Sequence, residues 1–438
     1  MEINTVGVVG LGYIGLPTAA ILASKDVKVV GTDVNQAVID AVNRGDVPFV
    51  EPDLATYVAG AVQYGTLRAT KEIEPADAFI IAVPTPLGED HEPDLSYIRS
   101  AAMAVAPKLR GGELVILEST SPPGATRKLA DWILELRPDL SIDGSAGRPV
   151  LHVAHCPERV LPGRVMIELV TNDRVIGGLT PEAAERARDL YSKFCQGEIL
   201  LTDATTAEMV KLAENSFRDV NIAFANELST VADRVGVDVW ELVRLANRHP
   251  RVEILRPGPG VGGHCIAVDP WFLVHAAPGD SRLIRTARDV NDAQPARVVD
   301  RAIDAMDGTK DVVIAALGLA FKPNVDDLRE SPAVDVVSHL SERASDATVL
   351  VVEPHVSVLP RELEELQNVE LSELCDAIER ADIVLILVDH REFDDVASVI
   401  RPRQQIIDTR GPLSRAPGSR TSKPRPTLRE ASTRGDVQ

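Results

Sequence analysis

The chain of 438 residues is poor in cysteine and aromatics and has no long apolar run. Its four cysteines, Cys156, Cys195, Cys265 and Cys375, stand far apart, which excludes a disulfide framework and the paired spacing of a zinc ribbon. No apolar stretch approaches the ~18 residues that a membrane span requires, and a strand-like run beginning at Thr5 leaves no room for a signal peptide. Aromatics make up only 4% of residues against 45% hydrophobic, so the core is one of Val, Ala, Leu and Ile. Positive charge is short as well: 46 Lys and Arg against 66 Asp and Glu leave a net charge of −20. Such a field repels nucleic acid and anionic membrane surfaces, and an anionic small molecule would need a local group of basic residues. Together these absences point to a soluble protein of a reducing cytoplasm.

What is present is an alternation of short apolar runs with helical patterns. Val6 to Gly10, Val27 to Asp33, Ala78 to Val83, Leu114 to Glu118, Leu151 to Ala154 and Arg174 to Gly177 read as strands of parallel βαβ units. A second such region runs through Val312 to Leu317, Thr348 to Val352, Ile383 to Val388 and Ile406 to Asp408. Between them, Thr205 to Gly236 reads as one long helix, with Val210, Ala213, Phe217, Val220, Phe224, Leu228, Val231 and Val235 at steps of three and four. Its apolar face suits a spine between domains or an interface between subunits. The expected division is 1–204, 205–305 and 306–410, with 411–438, where six basic and two acidic residues stand among Pro, Ser and Thr, as a disordered tail.

Gly10, Gly12 and Gly15 form a GxGxxG fingerprint after the first strand and at the start of a helix, and Asp33 closes the second strand. The first glycine permits a tight turn, the second lets a pyrophosphate reach the backbone, and the third lets helix and strand pack closely. Asp33 would accept hydrogen bonds from ribose hydroxyls and repel a 2′-phosphate, so NAD is expected over NADP. Prolines after the third and fourth strands open loops where ligand contacts are expected from Thr85 and Thr120.

Cys265 lies in Gly258-Pro-Gly-Val-Gly-Gly-His-Cys-Ile-Ala-Val-Asp-Pro270, four residues before Asp269. A free cysteine is often a small buried hydrophobe, but Gly262 and Gly263 permit close approach of a ligand and a neighbouring Lys or His would favour the thiolate. Lys211, Asn215 and Arg218 share one stripe of the long helix, either a solvated polar face or a set of donors for an oxyanion or phosphate. Glu158, in Cys156-Pro-Glu-Arg-Val160, follows a strand and could activate water. The adjacent pairs His155-Cys156 and His264-Cys265 are an awkward spacing for tetrahedral zinc, and no metal is expected.

Taken together, Glu118-Ser-Thr-Ser-Pro122, Cys156 to Gly163, Glu214 to Glu227, Asn247 to Val252, the Cys265 loop, Gly318 to Asn324 and Asp327 to Pro332 resemble the UDP-glucose/GDP-mannose dehydrogenase family, over nearly the whole chain to about Arg410. The resemblance implies two Rossmann-like, doubly wound parallel-sheet α/β domains joined by a long central helix that also forms a homodimer. It implies NAD on the first domain and a UDP-sugar held by the second domain and the helix. By position, Cys265 matches the nucleophile, Lys211 and Asn215 the oxyanion donors, and Asp269, Glu158 and Thr120 the groups that handle water and protons. Tyr13, Ile14, Asp33, Thr85, Thr126 and Arg329 match cofactor-contacting positions. Arg159, Val160, Arg218, His249, Arg251, Gly262, Phe321 and Lys322 match substrate-contacting ones, with His249 and Arg251 reaching a neighbouring subunit.

Val268 stands where glucose-specific members carry Lys, which favours an N-acetylhexosamine, and the matching stretches are most similar to members acting on UDP-N-acetyl-D-mannosamine. The expected chemistry is a four-electron oxidation of the C6 alcohol with two NAD, through a thiohemiacetal and a thioester on Cys265, serving surface polysaccharide precursors. UDP-GlcNAc and UDP-glucose are alternative substrates. A two-electron hydroxyacid dehydrogenase, or a silent NAD-binding protein, would leave the thiol without a task.

Overall fold

The computed structural model describes residues 3–263 and 265–411. His264 and the tail from residue 412, expected above to be disordered, lie outside them. The chain divides into two compact units, one of residues up to Asn215 with Trp271–Ser281, the other of Ser216–Pro270 with the chain from Arg282 onward.

In the first unit eight strands form one sheet: β1 (Thr5–Val9), β2 (Lys28–Thr32), β3 (Leu67–Thr70), β4 (Ala78–Ile81), β5 (Leu114–Leu117), β6 (His152–His155), β7 (Arg174–Gly178) and β8 (Ile199–Asp203). Their order is β3-β2-β1-β4-β5-β6-β7-β8. The first six run parallel, and the order reverses beside β1, where open α/β sheets bind their ligands. Successive residues serve opposite faces: Val6 and Val8, Ala78 and Ile80, Leu114 and Ile116 join one core, while Phe79 and Ile81, Val115 and Leu117 join another. Burial on both faces explains why these strands read as continuous apolar runs.

β7 departs from expectation. It pairs antiparallel with β6, through Ala154–Gly178 and His155–Gly177, and parallel with β8. An apolar run carries no direction, and the alternation of strand and helix suggested a wholly parallel sheet. The edge strands β3 and β8 were not anticipated. Their half-exposed patterns lack the fully apolar stretch that marks a central strand.

The second unit holds five parallel strands: β9 (Val313–Leu317), β10 (Thr348–Val352), β11 (Val369–Leu371), β12 (Ile383–Ile386) and β13 (Gln405–Asp408), in the order β11-β10-β9-β12-β13. Two cores again cover its faces, Ile314, Ala316, Val349 and Val351 on one side and Ala315, Leu317, Leu350 and Val352 on the other. Only the three-residue edge strand β11 escaped the sequence reading.

The long helix spans Ala204–Val235 and stops at Gly236, whose φ of +76° a Cβ would disfavour. Apart from the fully buried Leu212, most of its large apolar residues are not its buried ones. Phe217, Phe224, Val231 and Val235 are exposed, whereas Ala207, Lys211, Ser216, Asp219, Ala223 and Asn226 are buried. Among the described residues no helix is long and apolar enough to cross a membrane.

Candidate functional site

The glycine loop is built around three different demands. Gly10 has φ +94°, and a Cβ there would lie 2.5 Å from the Ala82 carbonyl oxygen. A Cβ on Gly15 would come within 1.9 Å of the Gly10 oxygen, so the helix Gly15–Ala23 can start there only with glycine. A Cβ on Gly12 meets no protein atom within 4 Å, so packing does not explain this glycine, and its backbone is open to the close approach of a pyrophosphate.

Asp33 follows β2 and ties the loop down: Oδ2 accepts Leu11 N at 2.9 Å and Oδ1 accepts Asn35 N at 2.8 Å. It is only partly buried, and each carboxylate oxygen keeps a lone pair for a ribose hydroxyl. These residues fit NAD. The Tyr13 hydroxyl donates to Glu51 at 2.6 Å, and Glu51 also accepts Gly163 N and Val165 N, both at 2.8 Å. That carboxylate, unremarked in the sequence, joins the glycine loop to the segment carrying Arg159 and Val160. Ile14, next to Tyr13 in the chain, is partly exposed. Thr85 Oγ1 donates to the Thr120 carbonyl at 2.6 Å, so the two loops from which ligand contacts were expected meet each other. Thr126 is fully buried, and its hydroxyl and N–H both donate to Glu208, at 2.6 and 2.7 Å.

Lys211 and Glu158 also come together. Lys211 Nζ donates to the Glu158 carbonyl at 2.5 Å. The Glu158 carboxyl is buried with Oε1 outside any hydrogen bond, and burial raises its pKa above the usual carboxylate range although Lys211 and Arg174 oppose the shift. A carboxyl tuned upward in this way holds its proton more tightly than an exposed one. Behind it lies a buried polar cluster. Glu118 accepts the Tyr191 hydroxyl at 3.0 Å and is pushed by burial up to about 7. Arg174 lies 4.7 Å from the centre of the Tyr191 ring and donates to Cys156 Sγ at 3.6 Å. Burial pushes the Cys156 thiol up to about 11, so it stays protonated. His155 is buried and pushed down to about 3 by the same cause. Arg159 forms a two-pronged pair with Glu214, at 3.0 and 2.5 Å, while Arg218, farther along the helix, is exposed.

In the second unit Cys265 is exposed and its carbonyl accepts Val268 N at 3.1 Å and Asp269 N at 2.8 Å, which opens the helix Asp269–Ala276. Asp269 itself is buried. At Gly262 and Gly263, expected to grant a ligand close approach, the space a Cβ would fill is taken up by the chain. A Cβ on Gly262 would lie 2.3 Å from the Glu330 oxygen, and one on Gly263, with φ +81°, would lie 3.1 Å from the Phe321 ring. Phe321 and Lys322 therefore belong to the surroundings of the thiol loop, with Lys322 Nζ 5.5 Å from the Phe321 ring centre. Arg329 pairs with Asp327, at 2.8 and 2.6 Å. His249 and Arg251 are exposed neighbours after the helix Val239–Ala246, the Arg251 N–H donating to His249 Nδ1 at 3.3 Å. Asn215 is half-buried.

The thiol loop has a buried anchor that spacing could not reveal. Gly258 N donates to Asn226 Oδ1 at 2.8 Å, Asn226 to Asn291 at 2.9 Å, Asn291 to Asp219 at 2.8 Å, and Asp219 accepts Arg288 at 2.7 Å. Asp219 and Asn226 stand seven apart on the long helix, and polar residues on a buried helix face were the available signal.

Comparison with known proteins agrees with this geometry. Residues 4–195, 205–293 and 315–415 match the NAD binding, central and UDP binding domains of the UDP-glucose/GDP-mannose dehydrogenase family. The chain is 58% identical over 412 residues to an NDP-N-acetyl-D-galactosaminuronic acid dehydrogenase of Ralstonia nicotianae, covering 94% of this chain and 96% of that one. It is 53% identical over 420 residues to the UDP-N-acetyl-D-mannosamine dehydrogenase of Escherichia coli, covering 94% and 99%. Among solved structures, a UDP-D-ManNAc dehydrogenase from Pyrococcus horikoshii superposes with a TM-score of 0.82 at 40% identity, covering 94% and 97%.

Proposed function

Since the chain belongs to the UDP-glucose/GDP-mannose dehydrogenase family and is an NAD-dependent nucleotide-sugar dehydrogenase, we propose that it oxidises the C6 alcohol of UDP-N-acetyl-D-mannosamine to the carboxylate. The observation that carries this reading is the exposed Cys265 thiol, held at a helix start by its own carbonyl, with the Asp269 carboxyl one turn away. NAD, when bound, supplies the hydride acceptor, and two equivalents are consumed with one water to give one carboxylate, two NADH and three protons.

The chain's residues divide the remaining tasks. Cys265 adds to the C6 aldehyde, forming a C–S bond and a thiohemiacetal that still carries a hydride to lose, and later leaves as thiolate when water cleaves the thioester. Lys211 and Asn215 stabilise the oxyanion at each tetrahedral stage. A donor in this role contributes roughly 3 to 4 kcal/mol. Glu158 and Asp269, both buried carboxyls, and Thr120 accept and position the protons and the hydrolytic water. Arg159, Val160, Arg218, Gly262, Phe321 and Lys322 bind the nucleotide sugar. Tyr13, Ile14, Thr85, Thr126 and Arg329 line the cofactor.

The exposed Phe217, Phe224 and Val231, at seven-residue steps on the long helix, form an apolar seam that a second copy of the chain would cover, bringing His249 and Arg251 to the partner's site. Four free cysteines suit a reducing cytoplasm. The Ralstonia relative favours a second reading, the same chemistry on a galacto-configured substrate. A panel of UDP-ManNAc, UDP-GalNAc, UDP-GlcNAc and UDP-glucose followed by NADH absorbance separates them. Two NADH per uronate are expected with UDP-ManNAc, and Cys265→Ser should stop acid formation while NAD still binds. Normal acid production by that variant would refute the thioester route.

A further inference from the structure

The second sheet repeats the turn that opens the first. Gly318 leaves β9 with φ +93°, as Gly10 leaves β1 with +94°, and each N–H donates at 2.8 Å to the end of the adjacent strand, Val352 O or Thr32 O. The carboxylate after that strand is repeated too. Glu353 Oε2 accepts Leu319 N at 2.7 Å as Asp33 Oδ2 accepts Leu11 N, and Glu353 Oε1 accepts His355 N at 3.0 Å as Asp33 Oδ1 accepts Asn35 N.

Two differences separate the copies. The first turn enters its helix at Gly15, whereas the second is followed by the loop 319–331 before the helix Pro332–Arg343. Asp33 is partly exposed, whereas Glu353 is covered by the fully buried His390, whose Nε2 lies 3.1 Å from Oε2. Oε2 also accepts Ala320 N at 3.0 Å, so this carboxylate is taken up by the chain and does not read a ribose.

His390 Nδ1 accepts Asn324 N at 3.0 Å. A ring nitrogen that accepts carries no proton, so the ring proton sits on Nε2 and is donated to Glu353. The ligand atoms of Glu353, His355 and His390 lie within 4.8 Å of one another, as metal ligands would, but those of Glu353 and His390 are engaged in holding the loop. Glu353 therefore fixes the start of the loop and His390 its middle, at Asn324, whose φ is +60° and whose side chain accepts Arg391 N at 3.0 Å. Ser331 Oγ closes it by donating to Leu319 O at 2.6 Å. Between the pins stand Phe321 and Lys322. Phe321 abuts Gly263 and the Glu330 carbonyl abuts Gly262, two and three residues before Cys265.

We propose that Glu353 and His390 are positioning residues for the nucleotide sugar, holding the 319–331 loop so that Phe321 and Lys322 bind the UDP moiety and the Gly262–Gly263 backbone carries Cys265. This rests on the UDP-sugar reading above. The test compares His390→Ala and His390→Gln with the wild-type protein, measuring UDP binding by calorimetry and separate KM values for UDP-sugar and NAD. His390→Ala should weaken UDP binding and raise the sugar KM by roughly 10-fold with the NAD KM unchanged, and His390→Gln, which keeps one donor and one acceptor, should recover most of it. Unchanged UDP binding in a folded His390→Ala protein, or equal shifts of both KM values, overturns the proposal. Should that variant not fold, ¹⁵N NMR of histidine-labelled wild-type protein decides: a proton on Nε2 alone supports it, and a proton on Nδ1 refutes it. A wild-type protein that binds UDP and loses it in His390→Ala, yet oxidises no UDP-sugar, would leave the clamp standing and remove the functional reading.

Discussion

Asp219→Ala takes the anion from a buried ion pair and leaves the guanidinium of Arg288, itself 1% exposed, behind. Breaking such a pair from one side costs about 3 to 5 kcal/mol, because the surviving charge is uncompensated. Here Arg288 keeps its contact with the half-exposed Asp292, so the lower figure applies, about 3 kcal/mol. For a unit of this size that corresponds to a melting temperature lower by roughly 6 to 12 °C. Burial holds the Asp219 carboxyl above its ordinary pKa even with Arg288 beside it, so desolvation outweighs pairing. Removing both charges should therefore restore most of the loss, and Asp219→Ala/Arg288→Met is expected within about 1 kcal/mol of wild type. Urea unfolding of the two variants measures both numbers. Asn291 also loses its bond to the Asp219 carboxylate, so the chain of contacts reaching Gly258 loosens and the single variant should alkylate faster at Cys265. A double variant as unstable as the single one would refute the argument that the unpaired charge, and not the lost pair, sets the cost.

Other outcomes follow from the same geometry. Gly12→Ala should leave the melting temperature unchanged and raise the KM for NAD, while Gly15→Ala, whose Cβ would meet the Gly10 carbonyl, should lower stability itself; equal melting temperatures would contradict the packing. Glu118, raised to about 7 from 4.5, gives stability that is fully present below about pH 4.5 and is lost as pH rises through about 7, roughly 3 kcal/mol in all. Glu118→Gln should flatten that decline in unfolding measured from pH 4 to 8, and an unaltered slope would place the titration elsewhere. Phe224→Glu should leave each chain folded but split the proposed dimer in light scattering, since a carboxylate would sit in the proposed seam; an unchanged mass would exclude that face.

The alternation of apolar runs, the glycine fingerprint with its acid, and the thiol in its glycine-rich loop were legible because each is a local pattern whose cause lies within a few residues. Both doubly wound sheets could be read this way, as could the long helix to within one residue at each end. Strand direction at β7 was not, since hydrophobicity is blind to the sense of a strand, and β3, β8 and β11 were hidden by edge positions that need no apolar run. The long helix shows the same division. Its apolar periodicity was visible, but only the fold determined that Phe217 and Phe224 face outward while Lys211, Asp219 and Asn226 are buried. The carboxylates that hold the loops of each unit, Glu51 and Glu208 in the first, Asp219 and Glu353 in the second, could not be identified in advance. Each acts on backbone or side-chain donors distant in the chain, and a hydrogen bond across such a separation exists only once the chain has folded.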